Sequence, residues 1–376
     1  KEDLPEDIST VETGEDLLAS VPLYTHRLYS NGIAYVDMAF NLKGLSEEES
    51  KLLPLLGKMI SSSGIPGHPY DEVARMLAVS TGGLFHSLEA SPVVGRLDEA
   101  FVLLLFRLKS LYHNIDEALE LATSILNGSH VDDTARLKEV LSELRNDMRS
   151  AVIPSGHSFA SLRAGAHLRS VIHIEDNWRG VGQLEFLSDI GEEGGMGLEE
   201  LAGKLRSLRE RIITRERMIL NITAEEEHFE EVREATEGAV LQFRAGDSEN
   251  GGGPGFLSRD TTVLSPQPHG RAGSEASAGT SPEERRNGGD RNTELQSEAG
   301  RSVAAGEEPV RWESLIVPAA VGYSSMTLPA ATYGEDAHPL QVLLAQLLKT
   351  DYLWEKVRMQ GGAYGAAASA HALEGV

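Results

Sequence analysis

Apolar and polar residues alternate through Ile33–Asn41, where Ala34, Val36, Met38 and Phe40 share one face, the period of a half-buried strand. The strand-like pattern begins at Leu23. Past Leu45 the period lengthens. Ser46 and Glu49 form a capping box ahead of Leu52, Leu53, Leu55, Leu56, Met59 and Ile60, predicting a helix that stops at the serine-rich turn and Gly64. A second helix carries Val73, Met76 and Leu77 and halts at Gly82-Gly83. Strands are predicted over Leu84–Ser91 and Ala100–Ser110. The second contains the unbroken apolar run FVLLLF, which suits a buried position. The chain then turns helical. Asn114 caps a helix through Leu126, Asp132 opens another that ends before Pro154, and Ser155–Ile174 and Leu198–Thr214 are amphipathic. Arg217–Ile222 reads as a strand, and Thr223 with Glu226 as the cap of a further helix. Strands in a sheet, helices packed on it and no strict βαβ alternation predict an α+β fold of mixed α/β layers.

Between about 245 and 308 this periodicity disappears. Gly, Ser, Glu, Arg and Pro dominate, and Phe256 is the sole aromatic residue. Such a composition cannot bury enough apolar surface to offset its ordering entropy, so a disordered insert is expected, with RRNGGDR an ordinary part of it. Residues 1–20, acidic and weakly periodic, are expected to connect from a preceding domain, and 21–244 form the main domain. Order is expected to resume over 309–376, with SLIVPAAVGYSS as a strand and Pro339–Thr350 as a helix bearing Leu340, Leu343, Leu344 and Leu347 on one face. That last stretch is shorter than an average independent domain, which predicts a truncated unit with an open core.

Composition narrows the chemistry. A formal net charge of −24 argues against nucleic acid as a partner, because phosphate binding needs clustered Lys and Arg. Much of the acid is local. Glu225, Glu226, Glu227, Glu230, Glu231, Glu234 and Glu237 crowd one predicted helix beside Arg233, either as a solvated face or as a wall attractive to cationic peptides. The absence of cysteine excludes disulfides and thiolate metal sites. No apolar run reaches the roughly 18 residues of a membrane span, and no signal or transit peptide is read. Asn127-Gly-Ser and Asn221-Ile-Thr match the glycosylation sequon but lack a secretory context. Ser155-Gly156-His157 reads as a helix N-cap rather than a nucleophile and base. His167, His173 and His228 read as surface or packing residues, and Trp178 and Trp354 as core or interface anchors.

The segment richest in chemistry is LWEKVRMQGGAYGAAAS, Leu353–Ser369. Leu353, Trp354 and Val357 recur at helical spacing, Lys356 and Arg358 lie in a last turn that favours cations, and Gly361-Gly362 ends the helix. An extended segment, Ala363–Ala368, is expected to follow. Arg358 and Tyr364 would then face one ligand carbonyl across the hinge. The phosphate-loop alternative fails, since GGAYG lacks a Lys-Ser/Thr pair.

LWEKVRMQGGAYGA resembles the last domain of presequence proteases, the pitrilysin-type inverzincin metallopeptidases that include falcilysin. The resemblance extends to DLPEDIST near the start, YSNGIAYVDMAFNLKGL (Tyr29–Leu45), STGGL (Ser80–Leu84), SGHSFASLRAGAHL (Ser155–Leu168) and VPAAVGYS (Val317–Ser324), in the family's order. It implies a pitrilysin-like domain with helices on a mixed, mainly antiparallel sheet, followed by a truncated second domain of the same type. It also implies that Arg358 and Tyr364 hold the substrate backbone near a zinc ion. The family's His-x-x-Glu-His motif is missing: none of the twelve histidines begins one. The resemblance therefore implies no catalytic or metal-binding residue in this chain, with zinc bound by an upstream half of the same protein. It further implies unfolded peptides, basic ones among them, as substrates, and a mitochondrial or plastid location. A non-catalytic pitrilysin-like structural or peptide-binding subunit is the alternative.

Overall fold

The computed structural model describes residues 11–94, 96–191, 195–246, 297–302 and 310–376. The alternating segments assemble into a six-stranded sheet: β1 (Gly14–Leu18), β2 (Val21–Arg27), β3 (Ile33–Asn41), β4 (Gly83–Val93), β5 (Arg96–Leu111) and β6 (Met218–Ala224), in the order β1-β2-β6-β3-β5-β4. β2 and β6 run parallel and every other neighbouring pair is antiparallel, so the sheet is mixed and mainly antiparallel. Gly14–Leu18, expected within a connector, is its edge strand, because Leu18 is buried in the core.

The helices are α1 (Glu47–Ser62), α2 (Tyr70–Ser80), α3 (Ile115–Gly128), α4 (Thr134–Ala166), α5 (Ser170–Arg179), α6 (Val181–Asp189), α7 (Leu198–Ile212) and α8 (Phe229–Val240). Val36, Met38, Phe40, Leu104 and Phe106 of the sheet meet Leu52, Leu56 and Met59 of α1 and Leu119 and Ala122 of α3 in one continuous core. Phe40 and Phe106 pack edge to face at 6.2 Å. The other face carries a separate small cluster, Ala39, Leu105 and Ile219 with Tyr24, Phe101 and Leu103, all from strands. The FVLLLF run is thus split between two faces, and only one is covered by helices among the described residues.

Local chemistry sets several boundaries. The capping box is present, with Glu49 N–H donating to Ser46 Oγ at 3.2 Å and Ser46 N–H to Glu49 Oε2 at 2.8 Å. Pro54 sits inside α1 and has no N–H for the Ser50 carbonyl one turn back. The Trp178 indole N–H donates to that carbonyl at 3.2 Å and to Ser50 Oγ at 3.0 Å, which repairs the gap and ties α5 to α1. α4 spans Pro154 as two joined segments. Its helical geometry breaks at Ser155 (φ −117°, ψ 20°), so two helical segments meet at a kink there, close to the expected end near Pro154 and the expected start at Ser155. Thr223 lies in β6, and α8 begins only at Phe229, so the expected cap at Thr223 is not formed.

In the last part of the chain, β7 (Ser297–Ser302) pairs antiparallel with β8 (Val310–Leu315). β7 falls inside the expected insert; the bulk of that insert, RRNGGDR included, and the DLPEDIST segment lie outside the described residues. The strand expected over SLIVPAAVGYSS stops at Leu315, since Pro318 interrupts the ladder and Ala319 N–H turns back to the Val317 carbonyl at 2.8 Å. Leu315 and Val317 nonetheless pack on the main core. α9 (Ala337–Leu347) then continues into a 13-residue π-helix, Leu348–Gln360. Leu340, Leu343, Leu344 and Leu347 form the expected apolar face, and it is exposed.

Candidate functional site

Arg358 lies in the last turn of the π-helix, and its guanidinium sits 4.0 Å from the centre of the Trp354 ring. That stacking spreads a fixed cation over an aromatic face while leaving its N–H fork free of protein acceptors among the described residues. The helix ends by wide-ring bonds: Gly361 N–H donates to the Lys356 carbonyl at 3.0 Å and Ala363 N–H to Val357 at 3.1 Å. Gly362 adopts φ +74°, a conformation that favours glycine, and so turns the chain toward Tyr364. Tyr364 is 96% exposed, with its hydroxyl directed to no protein partner among the described residues. Ala363–Ala368 is not a strand. The structure places both groups on one hinge, accessible and uncommitted, and brings no contact between them.

Two segments that carry the family resemblance meet elsewhere. Tyr323 packs on Gly156 at the kink of α4, where an added Cβ would collide with the ring, and its hydroxyl donates to the Ile153 carbonyl. Ser325 Oγ meets Ser161 Oγ at 3.0 Å. Arg163 bridges Glu313 of β8 (2.6 and 2.8 Å) and Asp176 of α5 (3.0 Å). Asp176 is 1% exposed and also accepts the Val181 N–H at 2.9 Å, so the cation is locked between two carboxylates. The Arg163 hydrogen bonds hold the Glu313 carboxyl below the usual carboxylate range, whereas burial pushes Glu185, 3.8 Å from Arg163, upward. The last part of the chain is thereby clasped to α4, a role the sequence did not reveal because its partners lie far apart along it.

The acidic stretch is less bare than its composition suggests. Arg27 of β2 pairs with Glu226 (2.6 Å) and Glu230 (3.0 Å) while its guanidinium lies 4.0 Å from the centre of the Phe229 ring, and Arg233 pairs with Asp16. Glu225, Glu227 and His228 place ligand atoms within 4.8 Å of one another. Glu225 Oε1 accepts the Ser30 and Gly32 N–H groups, bracing the Tyr29–Gly32 loop, and His228 stacks on Tyr112 at 3.5 Å. A catalytic zinc site asks for three protein ligands, an open position and a nearby base. The single imidazole and the committed Glu225 do not fit that demand. The sequon asparagines are also engaged, with Asn127 Nδ2 donating to the Gln242 carbonyl and Asn221 Nδ2 to Asp37. Trp178 is a core anchor as expected, whereas Trp354 is 48% exposed. His173 Nε2 lies 3.6 Å from Glu47, and His167 Nε2 3.9 Å from Glu313.

The model of the family associated with peptidase M16, subfamily C, matches residues 1–190. Presequence protease 1, chloroplastic/mitochondrial, of Arabidopsis thaliana is 23% identical over 363 residues, covering 96% of this chain and 29% of that protein. The mitochondrial presequence protease of Yarrowia lipolytica is 23% identical over 360 residues, covering 92% of this chain and 30% of its own length. The chain therefore spans under a third of these relatives. A crystal structure of a peptidase M16 inactive domain from Pseudomonas fluorescens superposes with a TM-score of 0.42 at 11% identity, over 63% of this chain and 53% of that one.

Proposed function

The chain belongs to the family associated with peptidase M16, subfamily C, and from that membership we propose that it is the peptide-holding portion of a longer zinc-dependent metalloendopeptidase acting on unfolded oligopeptides such as transit peptides. The observation that carries this reading is the pairing of two uncommitted donors, Arg358 and Tyr364, on a glycine hinge in a chain without a metal-binding motif. The relatives' names, which are those of proteases of mitochondria and chloroplasts, support a peptidase over a non-catalytic subunit and favour a mitochondrial or plastid setting.

In this reading the remainder of the longer protein would hold zinc, whose chemistry there would be to polarise a water. The work of this chain is positioning. Arg358, permanently charged, and the Tyr364 hydroxyl donate to a substrate backbone carbonyl, fixing the peptide and stabilising negative charge as it develops on that oxygen. Trp354 limits the rotation of the guanidinium, so less side-chain entropy is lost when it binds. The last domain, clasped through Arg163 and Glu313, carries the hinge.

The division of labour is testable on the chain alone. After dialysis it should hold no stoichiometric zinc and should hydrolyse no quenched fluorogenic peptide. One tightly bound zinc per chain with chelator-sensitive cleavage would overturn the proposal.

A further inference from the structure

One register line crosses all six strands on the face that carries no helix among the described residues: Glu15, Tyr24, Asn221, Asp37, Arg107 and Phe85. Directly paired residues point the same way, so these side chains share that face. Its adjoining row, Ile219, Ala39 and Leu105, is apolar and closely packed.

At the centre of the line the acceptors outnumber the donors. Asn221 Nδ2 donates to Asp37 Oδ2 at 3.2 Å, while Asn221 Oδ1 is buried without a hydrogen-bond partner among the described residues. Asp37 makes no ion pair among the described residues. The cation paired with it across the strands, Arg107, acts on the Asp37 carboxylate from a distance and shares its charge with Glu89, 3.9 Å from its Nη2, while Lys109 Nζ sits 5.8 Å from the Tyr35 ring centre. His26 and Glu15 are the other titratable groups near Asp37 and Tyr24 on this face. Burial is the largest influence on the Asp37 carboxyl and raises it, so its charge lacks full compensation. A buried acceptor without a donor is uncommon in native proteins and calls for an explanation.

We propose that this face, centred on Asp37 and Asn221, binds the guanidinium of an arginine side chain in an extended peptide. Two acceptors on adjacent strands suit a planar fork of donors better than the compact ammonium of lysine. The aliphatic stem would lie on the half-buried Tyr24, with the exposed Phe85 toward the far end of the line. The site rests on the reading of the chain as a peptide holder and gives that reading a side-chain preference.

Calorimetric titration of the 376-residue chain with the blocked peptide Ala-Ala-Arg-Ala-Ala tests it, with citrulline in place of arginine as the isosteric neutral control. The arginine peptide should bind at least tenfold more tightly than the citrulline peptide, and Asp37→Asn should remove that difference. Glu231→Gln with Glu234→Gln, in the acidic helix, should preserve it. If Asp37→Asn unfolds by circular dichroism, Asn221→Ser reads the same loss. Equal binding of the two peptides, or a preference abolished by the α8 substitutions and kept in Asp37→Asn, would overturn the proposal. That failure leaves the Arg358 and Tyr364 reading standing, because turnover in the longer protein tests it separately.

Discussion

Arg163 shows how much one side chain governs here, since it compensates the buried Asp176 and secures Glu313 at the same time. Arg163→Met should cost about 3 kcal/mol, the lower end for stranding a buried charge, measured by urea denaturation at neutral pH. The two carboxyls near it have opposite pH signs. Glu313 is depressed, so its contribution is present above the unfolded value of about 4.3 and is lost as pH falls through its folded value. Glu185 is raised, so its contribution is present below that unfolded value and is lost as pH rises through its folded one. Because the Glu313 bonds are short and direct, the protection of the Ala319 amide relative to its intrinsic exchange rate should fall as pH drops through the depressed Glu313 value, and Arg163→Met should remove that acid response. At Gly156 even a methyl group meets the Tyr323 ring, and Gly156→Ala should cost about 1–3 kcal/mol by overpacking. Unchanged stability would mean that the ring yields freely. None of these partnerships was legible in the sequence, because periodicity reports a residue's own face and not its distant partner. Arg358 and Tyr364 stand out from the sequence only through family resemblance. Asp37 and Asn221 are hidden in the sequence because the alternation of β3 directs attention to its apolar face.

Elements are more legible than residues. Strand alternation and the Ser46–Glu49 box locate β3 and α1 because both signals are local. The structure departs from the pattern where tertiary contacts override local rules. Pro54 is tolerated in α1 because Trp178 supplies the missing donor, and Trp178→Phe should therefore cost about 1–2 kcal/mol with the fold intact, read as a shift of the urea midpoint. At Pro154 and Ser155 α4 breaks into two segments, as the pattern of the chain indicates, and the kink accommodates Tyr323. The acidic residues Glu225–Glu227 precede α8 and do not open it, because Glu225 is drawn to the Ser30 and Gly32 amides. A π-helix has no simple sequence signature, so the spacing across Leu348–Gln360 predicts only a helix.

For the whole molecule, the main sheet and its helices follow from the pattern of the chain, whereas the arrangement of its last part depends on the α4 clasp. The leucines of α9 form an exposed apolar face. Among the described residues no helix is long and apolar enough to cross a membrane. In the proposed reading this chain would hold substrate for a longer enzyme without supplying metal chemistry. The most direct test of that reading is a steady-state comparison, in the full-length protein, of Arg358→Ala, Tyr364→Phe and the double variant, with zinc content measured alongside. Each single change should lower peptide turnover by about 10²–10³, the usual effect of losing a transition-state donor. The double variant should lose much less than the product of the two if they act as one clamp, and zinc content should be unchanged throughout. Near-normal turnover in both single variants would contradict the account and reduce Arg358 and Tyr364 to a stacked surface cation and an exposed phenol.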